Sequence, residues 1–467
     1  MAAGSTLAAP RTGKGAEHLA HGTMKSFVVT TLGCKVNRYE SEAISEQLID
    51  RGWHLASKGA AADLCIVNTC TVTGKAGTQS RQATRRLIRD HPGALVVVTG
   101  CYAQVAPEVF LSMAGVHYVV GTSLKDRIPL LADSATYALA PRPLVEDLSS
   151  PRPFQDLPLT RFGDRTRPFL KIQDGCNSFC SYCIIPYARG RSRSLKPELV
   201  VERIGALQAS GYSEVVLCGI HVGQYGRDLT PASSLADLLS FLEGPQGVQR
   251  LRISSIEPGE VSEGIIDQMA ISEHLCHHLH IPLQSGDDEV LKRMRRPYGA
   301  KLYRDLILHL VQVLPDVAIG ADVLVGFPGE TEKAFDNTYR LIEELPLAYL
   351  HVFPFSPQVG TRAEGLRDRV SPETIKNRCR RLRDMGQAKR MAFYDRFIGT
   401  TQEVLIEAKR DRSTGCLKGF TGNYIPVHVE GGDHLFHQLV PVRLTGVDGS
   451  IVMGQCLSTP FSNQSKA

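Results

Sequence analysis

The sequence lacks any long apolar run, and none of its hydrophobic stretches approaches the 18 residues that a membrane-spanning helix needs. The first 23 residues also lack the apolar core of a secretory signal, so we expect a disordered extension; an upstream start, with Met24 as the functional one, is the alternative. Both absences favour a cytoplasmic protein without a membrane partner. Cysteine is too scarce for a disulfide scaffold, with 12 residues in 467. In a reducing compartment such thiols serve metals or catalysis.

The composition is that of a folded protein with an uneven charge distribution. Hydrophobic residues make up 43% and charged residues 22%, and the net charge is +5. From Thr361 to Arg396 there are eleven basic and five acidic residues, and from Lys75 to Arg89 there are five basic residues and no acid. Two basic helical segments of this kind indicate a polyanionic partner, although each alone could be a solvated helix face.

Residues 24–138 alternate short apolar runs with helical patterns. The predicted strands are Phe27–Leu32, Ala62–Val67, Leu95–Thr99 and Val116–Val120, and the predicted helices are Tyr39–Arg51, Thr78–His91 and Pro107–Met113. Nearly continuous apolar strands that alternate with helices indicate a parallel sheet covered on both faces. We therefore predict an N-terminal parallel α/β domain.

A proline-rich stretch, residues 139–166, is predicted to be an interdomain linker. The alternation resumes in residues 167–396, which end in the basic helical segment. Six predicted strands lie in this part: Phe169–Gln173, Glu214–Cys218, Leu251–Ser255, His278–Pro282, Ala318–Val325 and Leu350–Pro354. Six βα units indicate a partial (β/α)6 barrel, because a closed barrel of eight units needs about 250 residues.

The last segment, residues 397–460, changes to alternation with a period of two. The predicted strands are Gln402–Glu407, Tyr424–Val429, Leu439–Leu444 and Ile451–Gln455, separated by turns rich in Gly and Asp. This pattern predicts a small antiparallel β-barrel. The whole chain is thus an α/β protein with a β-barrel at its C-terminal end.

The strongest chemical signal is a C-x3-C-x2-C string formed by Cys176, Cys180 and Cys183, just after the first predicted barrel strand. Active sites of such barrels lie at the carboxyl ends of the strands. Three thiolates this close have no local fourth partner, whereas zinc sites usually pair C-x2-C with a second pair. A [4Fe-4S] cluster held by three cysteines keeps one iron open to a small molecule. Three structural cysteines, or zinc with a remote ligand, remain the alternatives.

A second set of cysteines follows three strands of the N-terminal domain. Cys34, Cys70 and Cys101 each come directly after an apolar strand, about one βα unit apart. In a parallel sheet all carboxyl ends lie at one edge, where open α/β sheets bind ligands. We therefore predict a second metal or cluster site, with small buried residues at strand ends as the alternative.

Together the two cysteine sets make the chain resemble the methylthiotransferase family of radical S-adenosylmethionine enzymes over nearly its whole length. The resemblance also rests on the strings Ser254–Pro258, His280–Gly286, Gly326–Thr331 and Gly419–Tyr424. It implies that the C-terminal barrel is a TRAM domain, an OB-like RNA-binding module.

In this family one S-adenosylmethionine provides a radical that abstracts hydrogen from an unactivated carbon, and a second donates the methyl group. The resemblance implies two [4Fe-4S] clusters as cofactors. The radical-generating cluster would be held by Cys176, Cys180 and Cys183, and an auxiliary cluster that supplies or carries sulfur by Cys34, Cys70 and Cys101. The expected S-adenosylmethionine contacts are Tyr182, Gly219, Ser255, Gln284 and Asp322. Radical chemistry of this kind needs positioning and exclusion of water more than a tuned acid or base, and we predict no catalytic residue of that type.

The residues after the first auxiliary cysteine distinguish branches of the family. Here they are Lys35, Val36 and Asn37, which resemble the branch that modifies C2 of N6-threonylcarbamoyladenosine at tRNA position 37. The alternatives are isopentenyladenosine 37 in tRNA and an aspartate of a ribosomal protein. A different class of function is a non-catalytic iron–sulfur protein that binds RNA.

The expected partners are the tRNA anticodon loop and an electron donor such as flavodoxin or ferredoxin. Proteins read single-stranded RNA loops with aromatic rings beside basic grooves. Phe420 and Tyr424 could stack on bases, or they could be ordinary barrel core. We expect the phosphate contacts to come from Arg81, Arg85, Arg86 and some of the residues from Arg378 to Arg383. For His278 and His280, on alternate strand positions, a metal site is an unfavoured possibility.

Overall fold

The computed structural model describes residues 25–133, 141–163, 165–243 and 248–457. The expected extension, residues 1–23, lies outside the described residues. Within these ranges, no helix is both long and apolar enough to cross a membrane.

The N-terminal part is a sheet of six parallel strands in the order β2-β1-β3-β4-β5-β6. The strands are β1 (Ser26–Thr31), β2 (His54–Leu55), β3 (Leu64–Thr69), β4 (Leu95–Gly100), β5 (Tyr118–Val120) and β6 (Arg142–Leu144). The helices are α1 (Lys35–Asp50), α2 (Gly74–Asp90), α3 (Cys101–Val105), α4 (Glu108–Leu111) and α5 (Ile128–Asp133). Every residue of β3 and β4 is buried, which confirms a sheet covered on both faces.

The predicted linker is more ordered than its proline content indicates. Its residues Arg142–Leu144 form β6, which pairs in parallel with β5 at the edge of the sheet. An edge strand tolerates Pro143, because its missing N–H is not needed on the open side. Farther along, Leu157, Leu159 and Phe162 are buried in the core of the central part. The segment therefore packs onto both neighbouring parts.

The central part is a parallel half-barrel. Its strands and the short ribbon at its mouth are β7 (Phe169–Lys171), β8 (Gln173–Asp174), β9 (Arg193–Ser194), β10 (Glu214–Cys218), β11 (Arg250–Ile253), β12 (His278–His280), β13 (Ala318–Val325) and β14 (Tyr349–Pro354). Strands β11, β10 and β7 form one parallel sheet and β12, β13 and β14 another. Parallel bridges from Leu251 to Leu275 and from Ser255 to His280 connect the two sheets. The predicted six-stranded partial barrel is thus confirmed.

Helices cover the outer side of the half-barrel. They are α7 (Pro197–Ala209), α8 (Leu235–Leu242), α9 (Glu263–Ile271), α10 (Asp288–Met294), α11 (Ala300–Val313), α12 (Glu332–Glu344) and α13 (Pro372–Asp395). The short helix α6 (Ile185–Arg189) lies instead at the mouth, where it contacts the N-terminal part. Alternate strand residues such as Leu217, Leu279 and Val323 pack in the apolar core beneath these helices. Because side chains alternate along a strand, Cys218, His278 and Asp322 belong to the inner face.

The C-terminal part is a closed barrel of five strands, β15 (Thr401–Arg410), β16 (Leu417–Thr421), β17 (Pro426–Val429), β18 (Leu439–Asp448) and β19 (Ile451–Cys456). The predicted barrel is confirmed, but β17 and β19 pair in parallel, whereas the other pairs are antiparallel. The prediction also missed β16, in which Gly419 at the centre weakens the apolar alternation.

The C-terminal barrel docks where the half-barrel strands begin. Arg252, in β11, is paired with Glu214 and donates hydrogen bonds to the backbone carbonyls of Thr421 and Gly422. The Tyr424 ring lies 4.6 Å from the His278 ring, centroid to centroid. The C-terminal barrel therefore contacts the end of the half-barrel opposite the carboxyl ends of its strands.

Candidate metal centres

The cysteines of the N-terminal part meet at one edge of the sheet. Cys34 follows β1 and precedes α1, Cys70 follows β3, and Cys101 begins α3 directly after β4. β3 lies between β1 and β4, and the strand order reverses between β1 and β3. Such a reversal opens a crevice at the carboxyl ends of the strands. The structure thus brings the three predicted cysteines together.

Two glycines allow these strand ends to approach each other. Gly33, with a φ of +96°, would place an added Cβ atom 2.7 Å from the Cys70 sulfur. Gly100, with a φ of +97°, would place one 2.4 Å from the Thr69 carbonyl oxygen. Only glycine fits this combination of left-handed backbone and close contact.

The three thiols interact electrostatically. Burial raises the pKa of Cys70 to about 12, and the neighbouring Cys101 and Cys34 add to the rise. Burial also raises the pKa of Cys34, although this residue remains solvent-exposed. An exposed thiol that is still surrounded by protein lines a concave space. Burial therefore opposes thiolate formation at these residues, and a bound cation would favour it.

A cluster of six buried charged residues lies beside this edge. Its members are Glu40, Lys125, Lys171, Asp174, Arg189 and Arg193. Arg189 is central, with its Nη1 atom 2.6 Å from a Glu40 oxygen and its Nε atom 3.3 Å from the Cys101 sulfur. Lys125 and Lys171 also pair with Glu40, and Arg193 pairs with Asp174.

This cluster has more positive than negative charge, since four of its residues are basic and two are acidic. Burial lowers the pKa of Lys125, but a neutral Lys125 would still leave an excess of one positive charge. Buried charge without a counter-ion is unfavourable. Three thiolates around an iron–sulfur cluster bring negative charge to this place. The donor set and its surroundings therefore fit an anionic thiolate-bound cluster.

The second cysteine set lies in the loop between β8 and α6. Cys176 Sγ is 3.2 Å from His221 Nδ1, and Cys180 Sγ accepts a hydrogen bond of 3.3 Å from Arg296. Burial raises the pKa of Cys183 to about 12, with a further rise from Cys180 and Cys176. The three predicted thiols therefore face one another in a single loop.

Arg296 and His221 are the two cations that contact cysteine sulfurs in this loop. Burial opposes the ionisation of Cys176, but the hydrogen bond and the charge of His221 hold its pKa below the ordinary value. Burial disfavours the charged form of His221 too, yet its contacts with Cys176 and Glu260 raise its pKa to about 10. Glu260 lies 2.7 Å from the other ring nitrogen of His221. The loop is thus prepared for anionic sulfur ligands.

The residues predicted to contact S-adenosylmethionine occupy successive strands of the half-barrel. Gly219 follows β10, Ser255 follows β11 and Gln284 follows β12, while Asp322 lies in β13 and Tyr182 adjoins Cys183. An added Cβ at Gly219 would come within 2.8 Å of Gln173 Oε1, so the position requires glycine. The strand ends place these residues around the same mouth as the cysteine loop.

Asp322 is also part of a network that the sequence did not reveal. It lies 2.9 Å from His280 Nε2 and 3.2 Å from His351 Nδ1, and its pKa is lowered because the hydrogen bonds and charges of these histidines outweigh burial. These three residues offer ligand atoms within 4.8 Å of one another. The Tyr349 hydroxyl in turn contacts both His278 and His280. His278 and His280 thus share a hydroxyl partner, and only His280 belongs to the group with ligand spacing.

The basic segments differ in how free their charges are. On α2, Arg85, Arg86 and Arg89 are exposed, and Arg86 and Arg89 share the carboxylate of Asp90 as their ion-pair partner. Arg81 donates a hydrogen bond to the Tyr102 hydroxyl. On α13, Arg378 is buried and paired with Glu330 and Glu332. Arg378 is therefore not one of the residues from Arg378 to Arg383 that could contact phosphate, because its charge is already neutralised inside the protein.

Phe420 and Tyr424 lie at the contact between the C-terminal barrel and the central part. Their rings stack on each other with centroids 4.9 Å apart, and the Arg167 guanidinium lies 4.3 Å from the Phe420 centroid. Arg252 lies over Tyr424 from the half-barrel side. These rings thus take part in the contact with the central part, which the sequence alone could not show because Arg167 and Arg252 are distant along the chain.

Comparison with known families and proteins gives concordant matches. The sequence model described as Uncharacterized protein family UPF0004 matches residues 26–121, and that of the Radical SAM superfamily matches residues 170–342. The chain is similar to TsrM, a radical S-adenosylmethionine methyltransferase from Kitasatospora setae solved with cobalamin and a [4Fe-4S] cluster. The TM-score is 0.53 at 15% identity, covering 73% of this chain and 74% of that one. At this identity the likeness concerns the fold alone.

Curated relatives match over most of their length. The threonylcarbamoyladenosine tRNA methylthiotransferase MtaB of Bacillus subtilis is 39% identical over 90% of this chain and 94% of its own. The protein of the same name from Aquifex aeolicus is 33% identical over 86% and 96%. The tRNA-2-methylthio-N(6)-dimethylallyladenosine synthase of Pelotomaculum thermopropionicum is 31% identical over 91% and 96%.

Proposed function

The chain belongs to the methylthiotransferase family of radical S-adenosylmethionine enzymes, and we propose that it inserts a methylthio group at C2 of N6-threonylcarbamoyladenosine 37 in tRNA. The observation that carries this proposal is the pair of cysteine sites, each of which brings together three thiols within its own part of the fold. The relatives named for this substrate reach 39% identity, whereas those named for dimethylallyladenosine reach 31%.

The cofactors are two [4Fe-4S] clusters and S-adenosylmethionine. Cys176, Cys180 and Cys183 would hold one cluster, and Cys34, Cys70 and Cys101 the other. When bound, the first supplies the electron that cleaves S-adenosylmethionine and the second supplies or carries sulfur. Glycines at the strand ends position the cysteines of the N-terminal part, and a tight loop positions those of the central part. The ligands are therefore in place before the cofactor binds.

The chain itself contributes charge, position and shelter from water. Arg296, His221 and Arg189 direct cationic donors at cysteine sulfurs. Tyr182, Gly219, Ser255, Gln284 and Asp322 surround the mouth of the half-barrel, where S-adenosylmethionine would be held. The C-terminal barrel packs against the opposite end, so the substrate base enters from the side of the cysteines.

The tRNA partner accounts for the basic surface of α2. Arg85, Arg86 and Arg89 would contact backbone phosphates near the anticodon loop. The electron donor would be a small acidic protein of the flavodoxin or ferredoxin kind. Both partners place the reaction in the cytoplasm.

The threonyl carboxylate of the substrate requires a cation that isopentenyladenosine does not need. Lys35 is exposed at the start of α1, directly after Cys34, and makes no ion pair with any residue that the structure describes. Burial raises the pKa of Cys218 to about 12, and the Lys35 ammonium partly offsets this rise. Burial lowers the pKa of His278, and the same ammonium adds to this lowering. Cys218 ends β10 on the inner face, at the carboxyl end of that strand, so Lys35 would meet the carboxylate at the mouth of the half-barrel.

Mass spectrometry of tRNA nucleosides tests the proposal. The gene is expressed in a host stripped of its own methylthiotransferases, with the Cys180→Ala variant as control. We expect 2-methylthio-N6-threonylcarbamoyladenosine with the active protein only. The isopentenyl analogue would keep the family and overturn the substrate. Loss of S-adenosylmethionine cleavage in iron-loaded protein would instead favour a non-catalytic RNA-binding protein, and active protein without either nucleoside would direct the search to a ribosomal protein.

A further inference from the structure

Arg189 connects the two cysteine sites. It is the last residue of α6, six positions after Cys183, and its side chain is fully buried. The guanidinium leaves the central part and reaches Cys101, Asn37 and Glu40 of the N-terminal part. One residue thus spans from the loop of one site to a sulfur of the other.

The contact with Cys101 is not explained by the need to neutralise Glu40. Lys125 and Lys171 already pair with that carboxylate, and both are fully buried. Arg189 adds positive charge to a place where basic residues are in excess. Its Nε–H points at the Cys101 sulfur at 3.3 Å, a charge-assisted donor aimed at a thiolate.

The other site has a corresponding arginine in a different setting. Arg296 donates to Cys180, also at 3.3 Å, but its charge is neutralised by Glu257 in a direct ion pair. A cysteine sulfur in each site therefore accepts the same kind of hydrogen bond, but the net charge of the residues around the two arginines differs. Net charge and hydrogen bonds to sulfur are the factors by which a protein sets the reduction potential of an iron–sulfur cluster.

We propose that Arg189 is the positioning residue of the auxiliary cluster: it fixes the Cys101 thiolate and raises the reduction potential of the cluster that Cys34, Cys70 and Cys101 hold. This inference rests on the proposed function for the identity of that cluster. A fixed positive charge in a buried site stabilises the reduced, more negative state over the oxidised one.

The experiment separates the two clusters by substitution. Cys176, Cys180 and Cys183 are replaced by Ala to leave only the auxiliary cluster, and in a second background Cys34, Cys70 and Cys101 are replaced instead. Each is reconstituted anaerobically, iron and sulfide are counted, and the midpoint potential is measured by redox titration with electron paramagnetic resonance. In each background Arg189→Lys is compared with Arg193→Lys, a matched buried arginine that pairs with Asp174 and contacts no cysteine.

We expect Arg189→Lys to retain iron in the first background and to lower the midpoint potential by about 59 mV, a tenfold change in the reduction equilibrium of a one-electron couple. Arg193→Lys should leave the potential unchanged, and neither variant should affect the second background. Loss of iron from the first background alone would also support the positioning role. An unchanged potential with full iron, or equal effects in both backgrounds, would overturn the proposal.

A second variant guards against misfolding. Replacing Arg189 by Met alone leaves Glu40 with one partner fewer, so Arg189→Met is combined with Glu40→Gln to keep the local charge balanced. This double variant also lacks the hydrogen bond to Cys101, so it should lower the midpoint potential in the same direction as Arg189→Lys, and a potential equal to the parent would contradict the inference. None of these measurements uses tRNA, so they are independent of which nucleoside the enzyme produces.

Discussion

Six of the twelve cysteines lie in the two candidate sites, and the others give matched controls. We expect Cys180→Ala to abolish both S-adenosylmethionine cleavage and the methylthio product, because it removes a ligand of the cluster that delivers the electron. Cys70→Ala should spare the cleavage and block the product. Chromatography of 5′-deoxyadenosine and of tRNA nucleosides measures the two steps separately.

Cys65 provides the control, since it is buried within β3 and is not one of the cysteines of either site. Cys65→Ala should leave both steps intact apart from a loss of stability. A normal yield of the methylthio product from Cys70→Ala would show that Cys70 is not a ligand of the auxiliary cluster.

The role of Lys35 is testable by charge. Lys35→Met should reduce the modification of N6-threonylcarbamoyladenosine at least tenfold while Lys35→Arg retains most of it, because only the carboxylate needs the cation. The substrates are anticodon stem-loops that carry either the threonylcarbamoyl group or its threoninol analogue, which lacks the carboxylate. Lys58→Met, an exposed lysine in another loop, is the control. An equal loss on both substrates would show that Lys35 acts on the cluster site in general.

Glu40 is the residue on which three buried cations converge. Burial alone would raise its pKa, but Arg189, Lys125 and Lys171 hold it well below the ordinary value. Glu40→Gln should lower the free energy of unfolding by about 3–5 kcal/mol, the range found when one partner of a buried ion pair is removed. Its contribution is complete above about pH 4.5, the value of an unfolded glutamate, and is lost as acid protonates the folded state.

Urea denaturation at pH 7 and at pH 4 measures both effects. Asp305→Asn, which breaks the exposed pair with Lys301, serves as control and should change stability little. A small effect of Glu40→Gln would mean that the cations are stabilised by other groups.

At the scale of elements, α2 presents the most accessible positive charge of the N-terminal part. We expect Arg85→Ala combined with Arg86→Ala to weaken tRNA binding and to reduce the slope of log K against log salt by about 1–2, since each lost phosphate contact removes about one unit. Filter binding at several salt concentrations measures this. Lys301→Ala with Arg304→Ala, on α11, is the matched control. An unchanged slope would exclude α2 from the interface.

The regular elements were the most predictable ones. The strands Glu214–Cys218 and Ala318–Val325 agree with the sequence prediction residue for residue. Both are rich in apolar residues over a length that is typical of buried strands. The edge strand Arg142–Leu144 was missed because its central residue is proline, and β16 because Gly419 interrupts its pattern.

Within the site, what could be predicted is what local spacing encodes. Cysteines that follow strands converge because parallel strands end at one edge. Arg189, Arg296 and His221 have no such signal, since each reaches its cysteine from a distant position through the tertiary fold. Arg378 could not be separated from the other basic residues of α13 for the same reason, because Glu330 and Glu332 become its partners only after α13 packs.

For the whole molecule, the contact between the C-terminal barrel and the half-barrel is structural in character. Tyr424 packs between His278, Phe420 and Arg252. Tyr424→Ala should lower the free energy of unfolding by about 2 kcal/mol, less than a fully buried aromatic residue because Tyr424 is half-buried. Differential scanning calorimetry compares it with Lys418→Ala on β16, which should be nearly neutral. If Tyr424→Ala kept stability but lost tRNA binding, the ring would belong to the RNA interface instead.

The excess of buried positive charge beside Cys101 has a consequence for the protein in a growing cell. A group that binds only the folded chain stabilises it by mass action, so the iron-loaded form resists unfolding better than the form that has not yet received iron. Proteases degrade the less stable form first. During iron starvation the amount of this protein should therefore fall through faster turnover, and decoding by its tRNA substrates would follow the iron supply without a dedicated regulator.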